Sequence, residues 1–400
     1  VNDSSVTKSS TPAKPPFWRD PDKRALAFQG VFLLLVLFVI FTLIRNTMVN
    51  LEARGISSGF GFLGTAAGFR IAETMIPFDT SSTYFDVFLV GLLNTLKVSI
   101  IGVFFATIIG FVVGVARLSN NWIVSRLAAI YVDTLRNIPL LLQLFFWYFA
   151  VLRPLKKPEE ADSLFGMIFL SNRGLFFPAP VYEQGFGLIV LAVVLAIVGS
   201  IVLKIWAKKR MEATGQRFPV FFTSLGLIVL LPLLAAVATG FPISWDIPEL
   251  AGTRIKNFVG GQVLTPEFSA LVFALAIYTS SFIAEIVRSG IMSVSKGQSE
   301  AAFSLGLKPS WTTRLVIIPQ ALRVIIPPLT SQYLNLTKNS SLAAAIGYPE
   351  LVSVFAGTAL NNTGQAVEIM GITLMVYLFL SLTISSLMNW YNASKALVER

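Results

Sequence analysis

The 400-residue chain contains no cysteine and no histidine. That double absence removes structural disulfides, Cys/His metal sites, cysteine nucleophiles and Ser-His-Asp chemistry together. It also leaves the redox compartment unspecified. Charge is scarce: Asp, Glu, Lys and Arg are 13% of residues against 54% apolar, and mean hydropathy is +0.72. No lysine follows a glycine, so the G-x-x-x-x-G-K-[ST] phosphate loop is missing and any ATP must be hydrolysed on another chain. Neither a metal nor a resident cofactor is expected.

What is present is apolar sequence in long runs, about as long as a bilayer core is thick, roughly 20 residues each. The runs are continuous and do not alternate in period two, which argues for an all-α integral membrane protein over a β-barrel. Eight spans are expected, near 26–44, 87–115, 127–152, 186–206, 219–240, 268–290, from 320 onward, and 367–390. The first run is too long for a secretory h-region, and Arg45-Asn46-Thr47 follows it where a small-residue cleavage site would stand, so it reads as an uncleaved span. Residues 1–24 form a polar tail expected to be flexible, 46–86 include an expected interfacial segment near 68–76, and 338–366 read as partly re-entrant.

The formal charge of +10 could suggest nucleic acid, but loop orientation explains it better. Eighteen Lys and Arg fall in the tails and in the loops near 117, 204–217 and 288–314, against ten in the longer opposite loops. The positive-inside rule then puts both termini and the stretch 295–319 in the cytoplasm.

That stretch is the most informative polar segment. Ser295 and Gln298 have the S-x-x-Q spacing of a capping box, and Gly306 followed by Pro309 reads as a helix stop. Such a helix either packs on its own chain or docks a soluble partner through Ala301, Ala302 and Leu305. Periodicity alone leaves both open.

Ionisable groups inside spans cost about 2.5–3.5 kcal/mol at the helix centre, so each needs a reason. Lys97 follows Asn94; Asp133 and Arg136 stand three apart and could neutralise each other; Glu285 and Arg288 repeat that spacing; Arg323 lies near the start of a span. Structural pairing and a polar pathway are both open for Lys97, Arg136 and Glu285. Gly110-Phe-Val-Val-Gly114 is consistent with close helix packing.

The segment Gly297-Gln-Ser-Glu300-Ala301-Ala302-Phe-Ser-Leu-Gly306, with Ile318-Pro319 downstream, resembles the "EAA" loop of permease subunits of bacterial ATP-binding-cassette importers. Further matches to polar-amino-acid permeases are Gly91-Leu-Leu-Asn-Thr-Leu-Lys97, Arg136-Asn-Ile-Pro139 with Gln143, Tyr278, Ala284-Glu285-Ile-Val-Arg288-Ser-Gly290, and Lys338-Asn-Ser-Ser-Leu342 with Ile346-Gly347. They cover about 87–152 and 268–391, the two parts of a five-helix type I importer core. Residues 25–86 (first span and periplasmic segment), 153–267 (loops and two extra spans) and the tails 1–24 and 392–400 exceed it. That enlarged plan is similar to one permease of general L-amino-acid, or glutamate/glutamine/aspartate/asparagine-type, systems, in which unlike permeases pair. Asn137-Ile138 stands where many relatives have Gly-Thr, so substrate specificity is not carried over.

The resemblance implies a bacterial inner-membrane location and an ATP-driven import role. The implied partners are a second permease chain, two cytoplasmic ATPase subunits, a periplasmic amino-acid-binding protein and membrane lipid, with no nucleic acid. Glu300, Ala301, Ala302, Leu305, Gly306, Ile318 and Pro319 would couple to the ATPase. Arg136, Gln143, Glu285, Lys338 and Asn339 would offer polar groups to a zwitterion in the pathway. The rival readings are a stand-alone ion-coupled carrier using Asp133 and Glu285, and a membrane scaffold with no transport.

Overall fold

The computed structural model describes residues 20–53, 58–253 and 256–394. The expectations for the tails at 1–19 and 395–400 lie outside the described residues. The order of elements follows the apolar runs. Helix α1 (Pro21–Ala53) is followed by an irregular strap, then by α2 (Tyr84–Ala116), α3 (Trp122–Asn137) and α4 (Leu140–Phe145), which continues as a wide π-turn to Leu152. Next come α5 (Phe186–Thr214), α6 (Val220–Ala238) and α7 (Pro266–Met292). After the polar helix α8 (Lys296–Ser304), α9 (Pro309–Thr312) passes through a π-turn into α10 (Ile318–Asn339). A 3-10 turn (Ser340–Ile346) and a π-turn (Val352–Ala359) lead to α11 (Leu360–Thr363) and α12 (Ala366–Ser394). Seven described helices are long and apolar enough to cross a bilayer, and the α3–α4 pair brings the number up to eight.

α7 is the centre of the bundle. Two-thirds of its most apolar window is buried, against none in α1 or α6. α2 lies directly on it because Gly110 and Gly114 bring the backbones together: a Cβ at Gly110 would sit 2.6 Å from Ile283, and one at Gly114 2.7 Å from the Ala284 carbonyl. The G-x-x-x-G spacing therefore does mark a close helix pair here. Leu271, Leu275, Ile283, Leu336 and Tyr348 fill the core between α7, α10 and the turn after it. A second cluster, with Phe62, Val87, Leu351 and Phe355, fastens the strap and the 352–359 turn to α2.

Several expectations are corrected. The span at 127–152 is not one straight helix, because α3 and α4 meet at 105°. Pro139 has no N–H and drives Ile138 out of the helical region, to φ −98° and ψ 125°. The segment near 68–76, read only as interfacial, is irregular: Ala66 bridges to Thr83, and the side chains of Phe69, Ile71 and Phe78 pack on the second cluster. Nearby, the hydroxyl and amide of Ser81 donate to Asp79 and hold its carboxyl below the ordinary range. The span expected from Gln320 begins earlier, in the helical run from Pro309 to Ile346, so Pro319 sits in the first turn of α10.

The helical class holds, but the loops around α5 and α6 carry strands the apolar pattern did not announce. Residues 153–185 hold β1 (Asp162–Leu164), β2 (Ile168–Ser171), β3 (Gly174–Phe177) and β4 (Ala179–Tyr182). Residues 241–265 hold β5 (Ile243–Asp246), β6 (Glu249–Ala251), β7 (Asn257–Val259) and β8 (Gln262–Leu264). All pairings are antiparallel, in a four-stranded sheet β1-β2-β3-β8 and two ribbons, β4-β5 and β6-β7. The two loops thus fold together at one end of the α5–α6 hairpin.

Candidate coupling helix and polar pocket

α8 leaves α7 by a short turn at Ser293–Ser295 and stands apart from the apolar runs. Ser295 is its N-cap, but the expected capping box does not form, since the Ser295 side chain makes no capping bond. The Gln298 side chain instead accepts from Gln320 Nε2 of α10 at 3.3 Å. The C-terminus is well closed. Gly306 has φ +75°, its N–H donates to the Phe303 carbonyl at 2.8 Å, and the Leu307 N–H donates to the Ala302 carbonyl at 3.1 Å. This is a Schellman cap, and a Cβ at Gly306 would meet nothing within 4 Å. Glycine is needed there for its backbone conformation, not for space.

The helix has two faces. Ala302 is 4% exposed and packs inward, whereas Glu300 and Ala301 face outward. Leu305 is 81% exposed, and Phe303, Trp311 and Leu315 are exposed beside it. Self-packing and an open docking face therefore coexist. Phe303 and Trp311 also belong to that open face, beside the Leu305 expected there from the sequence. Ile318 is exposed and Pro319 half-buried at the start of α10.

On one side of the bundle, α3, α7 and α10 line an open groove of about 280 Å³ formed by Arg136, Phe282, Glu285, Ser289, Ser331 and Gln332, among others; Arg136, Ser289 and Ser331 are exposed in it. Three other cavities among the described residues, of about 590 to 770 Å³, are larger but walled almost wholly by apolar atoms. A zwitterion needs charge partners, so the small pocket fits it better despite its size. Arg136 lies over the Phe282 ring at 5.0 Å. Glu285 is gripped by Arg288, with Nη2 at 2.6 Å, and by Arg117 from the turn after α2. Arg117 also reaches Asp133 at 3.9 Å. The expected Asp133–Arg136 pair does not form: Asp133 turns to Arg117, which leaves the Arg136 guanidinium to the aromatic face and the pocket. The Glu285–Arg288 pair does form.

The other candidate pathway residues are dispersed. Gln143 is buried and donates through Nε2 to the carbonyls of Leu135 at 2.9 Å and Ile138 at 3.0 Å, satisfying acceptors that the Pro139 break exposes. Lys338 is exposed and Asn339 half-buried at the far end of α10, and neither lines the pocket. Lys97 serves structure: its Nζ lies 2.6 Å from Glu73 of the strap and 4.4 Å from the centre of the Phe268 ring. Glu73 also accepts from the Thr265 hydroxyl at 2.7 Å, while Asn94 donates to the Glu73 and Pro349 carbonyls, both at 2.9 Å. Sequence reasoning missed Glu73, because nothing in a mixed strap marks one carboxylate as the partner of the half-buried Lys97. Arg323 has Nε and Nη2 buried without a hydrogen-bond partner.

The bundle is that of a polytopic membrane protein with a polar helix looped out between its central helix and the next span, and its relatives make it a transport subunit. The chain belongs to the family of binding-protein-dependent transport system inner membrane components, whose model matches residues 189–397. Among its relatives, the general L-amino acid transport system permease protein AapQ of Rhizobium johnstonii is 53% identical over 381 residues, 95% of this chain and 94% of that protein. The putative amino-acid ABC transporter permease protein YhdX of Escherichia coli is 54% identical, again over 95% of this chain and over 96% of that one. The glutamate/glutamine/aspartate/asparagine transport system permease protein BztB of Rhodobacter capsulatus is 43% identical over 94% of this chain and 95% of that protein. The match to all three runs through α1, α5 and α6 as well as the core, so the enlarged plan is shared.

Proposed function

We propose that this chain is one transmembrane permease subunit of an ATP-driven importer of L-amino acids and forms half of the translocation pathway. The observation that carries the reading is the physical connection of α8 to the pocket. α8 is joined through one short turn to α7, which supplies Phe282, Glu285 and Ser289, and through α9 to α10, which supplies Ser331 and Gln332. Near-full-length similarity to amino-acid permeases supports the substrate class.

In this reading Glu300, Ala301, Leu305 and the exposed Phe303 and Trp311 seat on a cytoplasmic ATPase, and Ala302, Gly306, Ile318 and Pro319 transmit its movement. Closure of two ATPases moves α8, and α7 and α10 follow as rigid bodies. Arg136 then offers a guanidinium to the substrate carboxylate, while Glu285, already held by two arginines, positions the pocket wall. ATP is hydrolysed on the separate subunits. A binding protein delivers substrate on the side carrying the β-strands, and a second, unlike permease completes the pathway. The loop charges support cytoplasmic termini in a bacterial inner membrane.

The test is reconstitution with the ATPase and binding-protein subunits, reading ATP hydrolysis and amino-acid uptake together. Gly306→Pro cannot adopt φ +75°, and with Glu300→Lys it is expected to abolish uptake while the chain still inserts. Uptake that survives both changes, or that follows the proton gradient alone, favours an ion-coupled carrier. Arg136→Ala with unchanged uptake and assembly removes that residue from the pathway.

A further inference from the structure

The α5–α6 hairpin ends, away from its strands, in a groove of about 680 Å³ that the pathway does not use. One wall is Lys204, Ala207, Lys208 and Met211, which share a face of α5; the other is Phe218, Phe221, Leu225 and Ile228 on and just before α6. Ser224 lies between them and Arg217 closes the turn. The walls are almost entirely apolar, and the polar groups gather at one end. Residues 204–217 contain Lys204, Lys208, Lys209, Arg210 and Arg217 against one acid, Glu212. Lys208 reaches that acid only at 3.9 Å, across an exposed i,i+4 pair that contributes little. Arg210 lies over Trp206 and bonds Gln216.

Length fixes where this groove sits in a bilayer. The apolar part of α5, Phe186 to Leu203, spans about 27 Å at 1.5 Å per residue, close to the hydrocarbon thickness. Lys204 therefore marks the hydrocarbon boundary, and Lys208 to Arg217 lie at headgroup level. Phe221, Leu225 and Ile228 reach from that level into the hydrocarbon along α6. The walls are open to the surroundings, since no residue of α6 is buried and α5 buries only Ala192, Ala196 and Ala207.

We infer that this groove is a binding site for an anionic phospholipid. The acyl chain lies along the α5–α6 seam, and the phosphate is held by Lys204, Lys208 and Arg217. An amphipathic ligand with one negative end matches a seam that is greasy at one end and cationic at the other. A soluble anion matches only the rim, and a protein helix would leave the three cations unneutralised. The inference rests on the hairpin being embedded in a membrane, and it is independent of what is transported.

The experiment uses the full chain, in its assembly, in nanodiscs containing phosphatidylglycerol and phosphatidylcholine, with retained lipid measured by native mass spectrometry after detergent extraction. Phosphatidylglycerol is expected to be retained preferentially. The triple change Lys204→Gln, Lys208→Gln, Arg217→Gln lowers that retention at least about tenfold, since each cation near an anionic surface counts for on the order of fivefold. Ser224→Trp, which fills the seam and keeps every charge, lowers it as well, whereas neutralising Lys156, Lys157 and Arg173 near the strands does not. Equal retention in the triple variant overturns the site. Loss in the triple variant but not in Ser224→Trp overturns the groove in favour of diffuse surface attraction. Displacement of the lipid by millimolar inorganic phosphate overturns the lipid as the ligand. Unchanged uptake in the same variants leaves the transport reading standing.

Discussion

The α2–α7–α10 core and the α5–α6 hairpin are both made of long apolar helices, yet they are held in opposite ways. In the core, glycine lets α2 approach α7 until a single Cβ would collide with Ile283. Some charged side chains there are tied together across helices, as Glu285 is to Arg117 and Arg288. In the hairpin, Gly187 and Gly226 face open space, a Cβ at Gly199 would meet Leu227 only at 3.2 Å, and no residue of α6 is fully buried. Lipid tails are as apolar as leucine, so apolar character alone does not bring helices together in a membrane. Small residues and ionic contacts do, and the core is rich in both.

The sharpest way to break this contrast is Gly110→Leu. It forces a side chain into a space where the neighbouring Cβ is 2.6 Å away, and a loss of about 3 kcal/mol or more is expected. Steric-trap unfolding in bicelles would read it, and Gly226→Leu in the hairpin should not destabilise, because a Cβ there meets nothing within 4 Å. Next is Arg117→Gln, which removes one of the two cations on Glu285; the exposed Asp133, 3.9 Å away, loses little. The substitution should cost about 1–3 kcal/mol, and a double-mutant cycle with Glu285→Gln should return a coupling within that range. Gln143→Leu leaves two carbonyls at the helix break without their donor, for about 1–2 kcal/mol, visible as faster hydrogen exchange around Leu135 and Ile138. The smallest effect is Gly226→Ala, expected to be neutral or to stabilise by up to about 1 kcal/mol, because the hairpin has room for the methyl group and the helix gains propensity.

The spans, the polar helix and the Glu285–Arg288 pair were all legible in the sequence, because each depends on local composition or on helical spacing. The α3–α4 break is hidden in hydropathy, because its signal, Pro139, lies inside a continuous apolar run. Asp133 was assigned to Arg136 because the i,i+3 rule sees only one helix. Its actual partner, Arg117, arrives from the preceding turn. The strands in the two loops were hidden for a related reason, since β3 pairs with β8 and β4 with β5 across the whole hairpin. The Glu73–Lys97 contact is likewise tertiary. What the sequence conceals is consistently the pairing between distant segments.

The Gln143 amide has a mechanical consequence. By donating both to Leu135, on one side of the 105° bend, and to Ile138, at its apex, it stitches the two limbs into a rigid bracket rather than a loose hinge. Arg136 stands one residue beyond Leu135 on the same limb. α4 and the backbone that carries Arg136 are therefore tied across the bend by two hydrogen bonds from one side chain.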